Sequence, residues 1–177
     1  RNPGAFPGKQ PLTRGQNKIS MTIPVDNPRK WDITDPYLYD LQVCLWREQE
    51  TNSRELCQQE HLRIGFRTMQ FDPVRGFLLN GRKVRLNGAC DHHDLGALGA
   101  AFHKEAMRRK FELMRSMGVN AVRTSHNMPA VELMELADEM GFLIVSEAFD
   151  MWEMAKNPYD YARFFKEWME KDVRSWI

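Results

Sequence analysis

The stretch Asn-Ala-Val-Arg-Thr-Ser-His at residues 120–126 has the pattern of a short buried strand that ends in charged and polar side chains. Burying such groups is costly unless they are paired or used. In a barrel of alternating strands and helices, the carboxyl ends of the strands carry the active site. Arg123, Ser125 and His126 are therefore predicted to lie at a functional site.

The same pattern occurs at two other places in the chain. Residues 86–90 lead into Asp-His-His-Asp at 91–94, and the apolar residues 142–146 lead into Glu-Ala-Phe-Asp at 147–150. Three predicted strands thus each deliver ionisable residues at the same end. This arrangement predicts one wall of an active site.

Predicted helices follow each of these strands. Apolar spacing predicts helices over about residues 102–117, 129–140 and 161–176. A strand–helix–strand order predicts a parallel sheet with right-handed crossovers. The side chains expected to be buried by these helices are Met107, Phe111, Met114, Val131, Leu133, Met134, Leu136, Ala137, Phe165, Trp168, Met169, Val173 and Trp176.

Upstream of this region the pattern is that of a β-sheet protein. Residues 1–16 read as a loop or frayed end, and strands are predicted at residues 18–25, 37–46 and 58–66. An Asn-Gly turn signal predicts a further hairpin over residues 77–86. A β-sandwich needs about seven strands in roughly 100 residues, so only part of a sandwich is expected here.

The bulk composition excludes several function classes. A net charge of +1 from 25 basic and 24 acidic residues gives no electrostatic reason to bind nucleic acid or a membrane surface. Residues 1–20 lack the apolar core of a secretion signal. Because the sequence begins at Arg1 rather than Met, the compartment stays open between cytoplasmic and periplasmic or secreted. Cys44, Cys57 and Cys90 have no metal-site spacing and are predicted to be buried thiols.

Several short motifs occur in an order typical of one enzyme family. They are Asn-Gly at 80–81, Val-Arg-Leu-Asn-Gly at 84–88, His92, the stretch at 120–126, Glu-Leu-Ala-Asp-Glu-Met-Gly at 135–141 and Glu-Ala-Phe-Asp at 147–150. Together they resemble glycoside hydrolase family 2, the family of β-galactosidases, β-glucuronidases and β-mannosidases. Trp31 with residues 36–39 and 65–67 is similar to the end of the immunoglobulin-like domain of that family.

The resemblance covers about residues 18–177 and implies two domains. Residues 1–72 would be the carboxyl-terminal part of an immunoglobulin-like β-sandwich. Residues 73–177 would hold the first three β/α units of a (β/α)8 TIM barrel, which in full needs about 250 residues. The fold class expected is thus a multidomain β plus α/β protein.

The activity implied by the resemblance is the retaining hydrolysis of terminal β-glycosidic bonds. The wording at residues 147–152 and 157–161 is similar to that of β-galactosidases, so a β-D-galactoside is the expected carbohydrate substrate. The intact enzyme would be free to form a homo-oligomer, and no nucleic acid or membrane partner is expected.

No catalytic residue is assigned within the chain. The family places its acid/base in an Asn-Glu pair after strand four and its nucleophile on strand seven. This sequence has no Asn-Glu pair and is predicted to end before a fourth barrel strand. The isolated chain is therefore predicted to be inactive, because retaining hydrolysis needs both carboxyl groups.

The resemblance instead implies that His92, Arg123 and His126 line the sugar-binding pocket and that Glu147 supports it. Asp150 and Trp152 are added to the predicted substrate-binding residues because they follow Glu147 closely in the sequence. His92 is predicted to face inward, with His93 and Asp94 on the loop that follows. Glu147 is expected to orient Arg123 or a catalytic carboxylate, or simply to form an ion pair with Arg123. Trp152 could stack on a sugar or cover the barrel mouth.

No metal or other cofactor is predicted. Large β-galactosidases of the family carry a Glu-x-His magnesium ligand pair near this position, whereas this chain has Met151-Trp152-Glu153. Two alternatives stay open. One is a non-catalytic module that binds glycans or a partner chain on a degenerate barrel. The other is a metal-dependent barrel hydrolase, disfavoured because its usual His-x-His pair on one strand is missing.

Overall fold

The computed structural model describes residues 8, 10–48 and 53–177, so part of the predicted loop at residues 1–16 lies outside the described residues. In chain order the elements are β1 (Tyr39–Glu48), β2 (Arg54–Ile64), β3 (Met69–Asp72), β4 (Gly76–Leu79), β5 (Arg82–Lys83), β6 (Gly88–Asp91), α1 (Lys104–Ser116), β7 (Ala121–Thr124), α2 (Val131–Met140), β8 (Leu143–Ser146) and α3 (Phe165–Trp176). Short 3-10 turns cover Gly96–Leu98 and Tyr161–Arg163.

Strands β1 and β2 form an antiparallel hairpin, with Tyr39 opposite Ile64 and a register shift between Leu45 and Trp46. These strands confirm the predictions at residues 37–46 and 58–66. The strand predicted at residues 18–25 is wrong, because that segment has no regular secondary structure and pairs with no strand in the described part of the chain. Alternating apolar residues favour a strand only where a neighbour can accept its hydrogen bonds.

The hairpin predicted over residues 77–86 is present as β4 and β5, with β3 on the other side of β4. Asn80 and Gly81 connect β4 to β5 with φ angles of 53° and 80°. Positive φ at both central residues is what a two-residue turn between twisted strands requires. The Asn-Gly signal therefore located this turn correctly.

Strands β6, β7 and β8 form a parallel sheet in sequence order, with α1 and α2 as the connecting helices. This confirms the predicted alternation of strands and helices. Val122 pairs in register with Ala89 and Ile144, and this row of side chains packs against the helices. The alternate row, which includes Ala121 and Leu143, lies on the opposite face of the sheet.

The core between the sheet and the helices contains most of the side chains predicted for it. The buried members are Met107, Phe111, Met114, Val122, Leu133, Leu136, Ala137 and Phe142. Val131 is a wrong prediction, since it is 71% exposed at the first residue of α2. Helix α2 ends at Gly141, whose left-handed φ of 72° is typical of a residue that closes a helix.

Helix α3 departs from its predicted burial. Phe165 is its buried residue, whereas Trp168, Met169 and Trp176 are exposed large apolar side chains. The helix packs on the 3-10 turn before it rather than across the sheet. The prediction that Trp168, Met169 and Trp176 are buried is therefore wrong, because within the described residues nothing covers most of that face.

A second buried cluster, here called the junction, lies at the amino ends of β7 and β8 and contains Trp31, Leu79, Ala121 and Leu143. Trp31 is 1% exposed and its indole N–H donates to the main-chain oxygen of Asp138 at 2.7 Å. The segment that holds Trp31 therefore packs directly on the parallel-sheet region. A domain boundary at residues 72/73 stays a prediction.

The cysteines are not buried as predicted. Cys57 and Cys90 are exposed and Cys44 is half-buried. Cys44 and Cys57 lie on the two-stranded hairpin, where little packs on either face, and Cys90 lies near the carboxyl end of β6. Among the described residues, no helix combines the length and the apolar character that crossing a bilayer requires.

Candidate functional site

The carboxyl ends of β7 and β8 bring the predicted site residues together. Arg123 pairs in register with Cys90 on β6 and Val145 on β8, so its side chain projects from the face opposite the helices. Glu147 follows β8 directly, and its main-chain N–H donates to the hydroxyl of Thr124 at 3.1 Å. The two strand ends are thus tied together before any side chain of the site is considered.

Arg123, Glu147 and His126 form one polar cluster, here called the cluster. Arg123 Nη2 lies 2.6 Å from Glu147 Oε2, an ion pair without good hydrogen-bond alignment. His126 Nδ1 lies 3.1 Å from Glu147 Oε1 and 3.4 Å from Arg123 Nη2. The ion pair expected from sequence is therefore present, and His126 bonds the neighbouring strand end rather than its own loop.

His126 Nδ1 lies between an acceptor, Glu147 Oε1, and a donor, Arg123 Nη2, so the tautomer decides which of the two it bonds. In either case the Nε2 atom remains for another partner. The side chains of Arg123, His126 and Glu147 are 42%, 34% and 22% exposed, so a ligand can reach them from solvent.

The other side of the Arg123 guanidinium also has partners. Nη1 donates to the Ser125 hydroxyl at 3.0 Å and approaches Cys90 Sγ at 3.6 Å. Hydrogen bonds from Arg123 and Ser125 lower the pKa of the Cys90 thiol. Sequence reasoning missed Cys90 at this position, although parallel register between the strands would have placed it beside Arg123.

The two histidines after β6 take different positions. The ring of His92 lies 5.2 Å from the ring of His126 in an edge-to-face arrangement. His93 instead lines a small cavity with Asp91, Thr124 and Ser125, among others. The structure therefore brings His92, and not His93, beside the cluster.

Asp150 lies at the edge of the cluster. Its Oδ1 atom is 3.8 Å from His126 Nδ1 and 3.3 Å from Lys156 Nζ. It also lines an open cleft of about 340 Å³, a size within the roughly 300–1,000 Å³ of small-molecule sites. The other residues lining this cleft are Asn127, Met128, Ala148, Phe149, Tyr161 and Asp172.

Trp152 lies apart from the cluster. Its indole stacks on Phe165 with an interplanar angle of 8°, and the residue is 67% exposed. This position leaves a broad aromatic face open to solvent, so contact between Trp152 and a sugar stays a prediction.

The described residues do not form a metal site. No group of three or more His, Cys, Asp or Glu side chains in this part of the chain is arranged to hold an ion. Where the resemblance would place a ligand pair, Met151 is buried and Trp152 stacks on Phe165. Met151 and Trp152 carry no oxygen ligand of the kind magnesium prefers, and the absence of a metal from the intact enzyme stays a prediction.

Comparison with known proteins identifies the class of protein to which this fold and site belong. Residues 74–165 match the family model described as the TIM barrel domain of glycosyl hydrolases family 2. Residues 5–67 match the model described as glycosyl hydrolases family 2. The chain belongs to glycoside hydrolase family 2 and spans the end of its immunoglobulin-like domain and the start of its TIM barrel.

Individual relatives agree with this assignment. The chain is 45% identical over 159 residues to β-galactosidase BoGH2A of Bacteroides ovatus. The aligned region covers 90% of the chain and 18% of that protein. It is 35% identical to a putative β-glucuronidase of Formosa agariphila, over 89% of the chain and 15% of that protein. The crystal structure of a β-glycosidase from Bacteroides vulgatus matches with a TM-score of 0.78 and 37% identity, over 85% of this chain and 19% of that one. The chain thus spans about a fifth of the length of these relatives.

Proposed function

We propose that the intact protein containing this chain is a retaining exo-β-glycosidase and that the chain supplies part of its sugar pocket. The observation that carries the proposal is the cluster, in which Arg123 and His126 both contact the Glu147 carboxylate at the carboxyl ends of β7 and β8. Barrel enzymes place substrate chemistry at this end of their strands.

The chemistry of the cluster suits a sugar. Guanidinium and imidazole N–H groups can hold hydroxyl oxygens, and a partly dried cleft strengthens such bonds. Glu147 holds both donors in a fixed relative position, which leaves less conformational freedom to lose when a ligand binds. His92 and Asp150 extend the polar surface on either side of His126.

The substrate proposed is a terminal β-D-galactoside. Support comes from the 45% identity to a protein named as a β-galactosidase, against 35% for one named as a putative β-glucuronidase. The two catalytic carboxyl groups, which stand about 5–5.5 Å apart in retaining enzymes, would come from residues outside this chain. The isolated 177-residue chain is accordingly expected to be inactive.

The experiment that tests this proposal measures nitrophenol release by the intact protein from matched aryl β-galactoside, β-glucuronide and β-mannoside. Fastest release from the galactoside, with the β-anomer of the sugar formed first by NMR, is the expected result. Preference for the glucuronide would overturn the galactoside proposal, and no release from any substrate would overturn the glycosidase proposal.

A matched pair of variants connects the activity to the cluster. Arg123→Lys keeps the positive charge but loses the planar guanidinium and its several N–H donors, and should lower kcat/KM by about 10²-fold. Arg108→Lys makes the same change in an ion pair with Glu139 on the helix layer, away from the cluster. It should leave kcat/KM within about twofold of wild type.

A further inference from the structure

Residues 91–94, which comprise the last residue of β6 and the start of the following loop, are held at both ends by one side chain from the helix layer. Lys110 on α1 forms an ion pair with Asp91 and donates to the main-chain oxygen of Asp94 at 2.7 Å. His92 and His93 lie between these two attachment points. Lys110 itself has no contact with the cluster among the hydrogen bonds and ion pairs of the described residues.

Asp91 connects Lys110 to the strand that carries the cluster. Its side chain is buried and has Lys110 as its ionic partner. Its main-chain oxygen accepts a hydrogen bond from the N–H of Ser125, the residue before His126, at 2.8 Å. A buried carboxylate that loses its cationic partner is unfavourable, so Asp91 is expected to move when Lys110 is neutralised.

The backbone of the loop also depends on these attachments. His93 has a φ of 54°, in the left-handed region. A residue with a side chain keeps such a backbone only where its surroundings hold it. Held in this way, the loop turns His93 away and leaves the ring of His92 5.2 Å from the ring of His126.

We propose that Lys110 is a positioning residue for the sugar pocket, which holds the 91–94 loop so that His92 stays against His126. The inference rests on the proposed function, because the position of His92 affects catalysis only if the cluster binds the substrate. Neutralising Lys110 removes its ion pair with Asp91 and its hydrogen bond to the main-chain oxygen of Asp94, and His92 leaves the pocket wall. Substrate binding is then weakened more than the chemical step.

The test is a double-mutant cycle in the intact protein with an aryl β-galactoside as substrate. Lys110→Met should raise KM about tenfold with kcat changed by less than about threefold. In a His92→Ala background the same substitution should change KM by less than about twofold, because Lys110 acts through His92. Lys104→Met is the matched control on the same helix, where Lys104 pairs with Glu135 and Glu139, and it should leave the KM of each background unchanged.

An equal rise in KM in both backgrounds would show a merely structural role and overturn the proposal. If Lys110→Met does not fold, Lys110→Arg enters the same cycle. Its expected KM change is smaller but still confined to the background that retains His92, and a change equal in both backgrounds again overturns the proposal.

Failure of the proposed function is distinguishable from failure of this inference. A wild-type protein that releases no nitrophenol from any aryl glycoside contradicts the function alone. The crystal structure of the Lys110→Met protein then decides the inference. A His92 ring displaced from His126 supports it, and an unchanged separation of 5.2 Å overturns it.

Discussion

The two ends of the β7–β8 pair are built from different kinds of residue. At the amino ends, Ala121 and Leu143 pack with Trp31 in the junction, and the indole N–H is satisfied by a main-chain oxygen. At the carboxyl ends the same strands lead to Arg123 and Glu147, which are charged and partly exposed. Strand β7 has four residues, so about 10 Å of chain separates the two environments.

The difference shows that stability and ligand contact depend on opposite ends of the same two strands. The junction is closed and apolar, so burial of its side chains stabilises the packing of the immunoglobulin-like segment on the sheet. The cluster is polar and partly open, and its ion pair contributes less to stability than burial of the apolar junction does, because removing charges from water offsets much of their attraction. Substitutions at the two ends are therefore expected to affect different measurements.

The largest effect is expected at the junction. Trp31→Ala removes a fully buried indole and should lower the free energy of unfolding by about 3–5 kcal/mol, measured by urea denaturation of the intact protein. Trp31→Phe keeps an aromatic ring but loses the bond to Asp138, and should cost about 1–3 kcal/mol. Equal costs for the two variants would contradict the role given to ring burial. Activity per folded molecule should stay near wild type in both.

The cluster should show the reverse behaviour. Glu147→Gln keeps the shape but removes the charge that holds Arg123 and His126, so kcat/KM should fall about 10²-fold, or about 2.7 kcal/mol. The free energy of unfolding should change by less than about 1 kcal/mol. Glu139→Gln is the control, since Glu139 pairs with Arg108 and Lys104 on the helix layer. A loss of stability larger than the loss of activity would remove the contrast between the two ends.

The junction can also be tested through the backbone. Gly141 has a φ of 72°, and a Cβ built there would lie 2.5 Å from the main-chain oxygen of Ile33. Gly141→Ala should therefore cost about 2–3 kcal/mol of unfolding free energy. Gly118→Ala is matched to it, with a φ of 81° but open space around the added methyl group, and should cost about 1 kcal/mol. If thermal denaturation gave the same shift for both, the Ile33 segment would not be tightly packed on α2.

The smallest effect is expected from pH. Burial opposes ionisation of Asp32, next to Trp31, but hydrogen bonds from Arg82 and Asn80 outweigh it and lower the pKa of the carboxyl. A lowered pKa means that Asp32 stabilises the folded state above its ordinary pKa of about 4, and that this stabilisation is lost as pH falls through the folded-state value. Asp32→Asn should reduce stability by about 1 kcal/mol at pH 7 and flatten the loss of stability that occurs as pH falls below about 4. Denaturation curves at several pH values measure this loss. If the variant lost as much unfolding free energy below about pH 4 as the wild type does, this role for Asp32 would be contradicted.

Sequence patterns predicted local secondary structure correctly but did not predict which other parts of the chain would pack against it. The parallel strands, the helices and the Asn80-Gly81 turn follow from periodicity and turn chemistry, which act within a few residues. The pairing of Arg123 with Glu147 was also expected, because neighbouring parallel strands end at the same edge. The same patterns misplaced Trp168 and residues 18–25, since apolar spacing does not show whether a helix face or a strand finds a partner to pack against or pair with.

The candidate site was predicted in outline only. His92, Arg123, His126, Glu147 and Asp150 are near one another in the structure, whereas Trp152 stands apart on Phe165. Lys110 could not be found from sequence, because its contacts reach 16 and 19 residues back along the chain to Asp94 and Asp91. Such contacts depend on how a helix lies over a sheet, which spacing along the chain does not reveal.

The indole of Trp31 bonds to the main-chain oxygen of residue 138 and not to its side chain. Every amino acid carries that oxygen, so no substitution at position 138 that preserves the helix can remove the acceptor. This hydrogen bond is for this reason tolerant to sequence drift on the helix side. The ion pairs of Arg67 with Asp138 and of Arg63 with Glu139 join the same two parts of the chain, and these do depend on which side chains α2 carries.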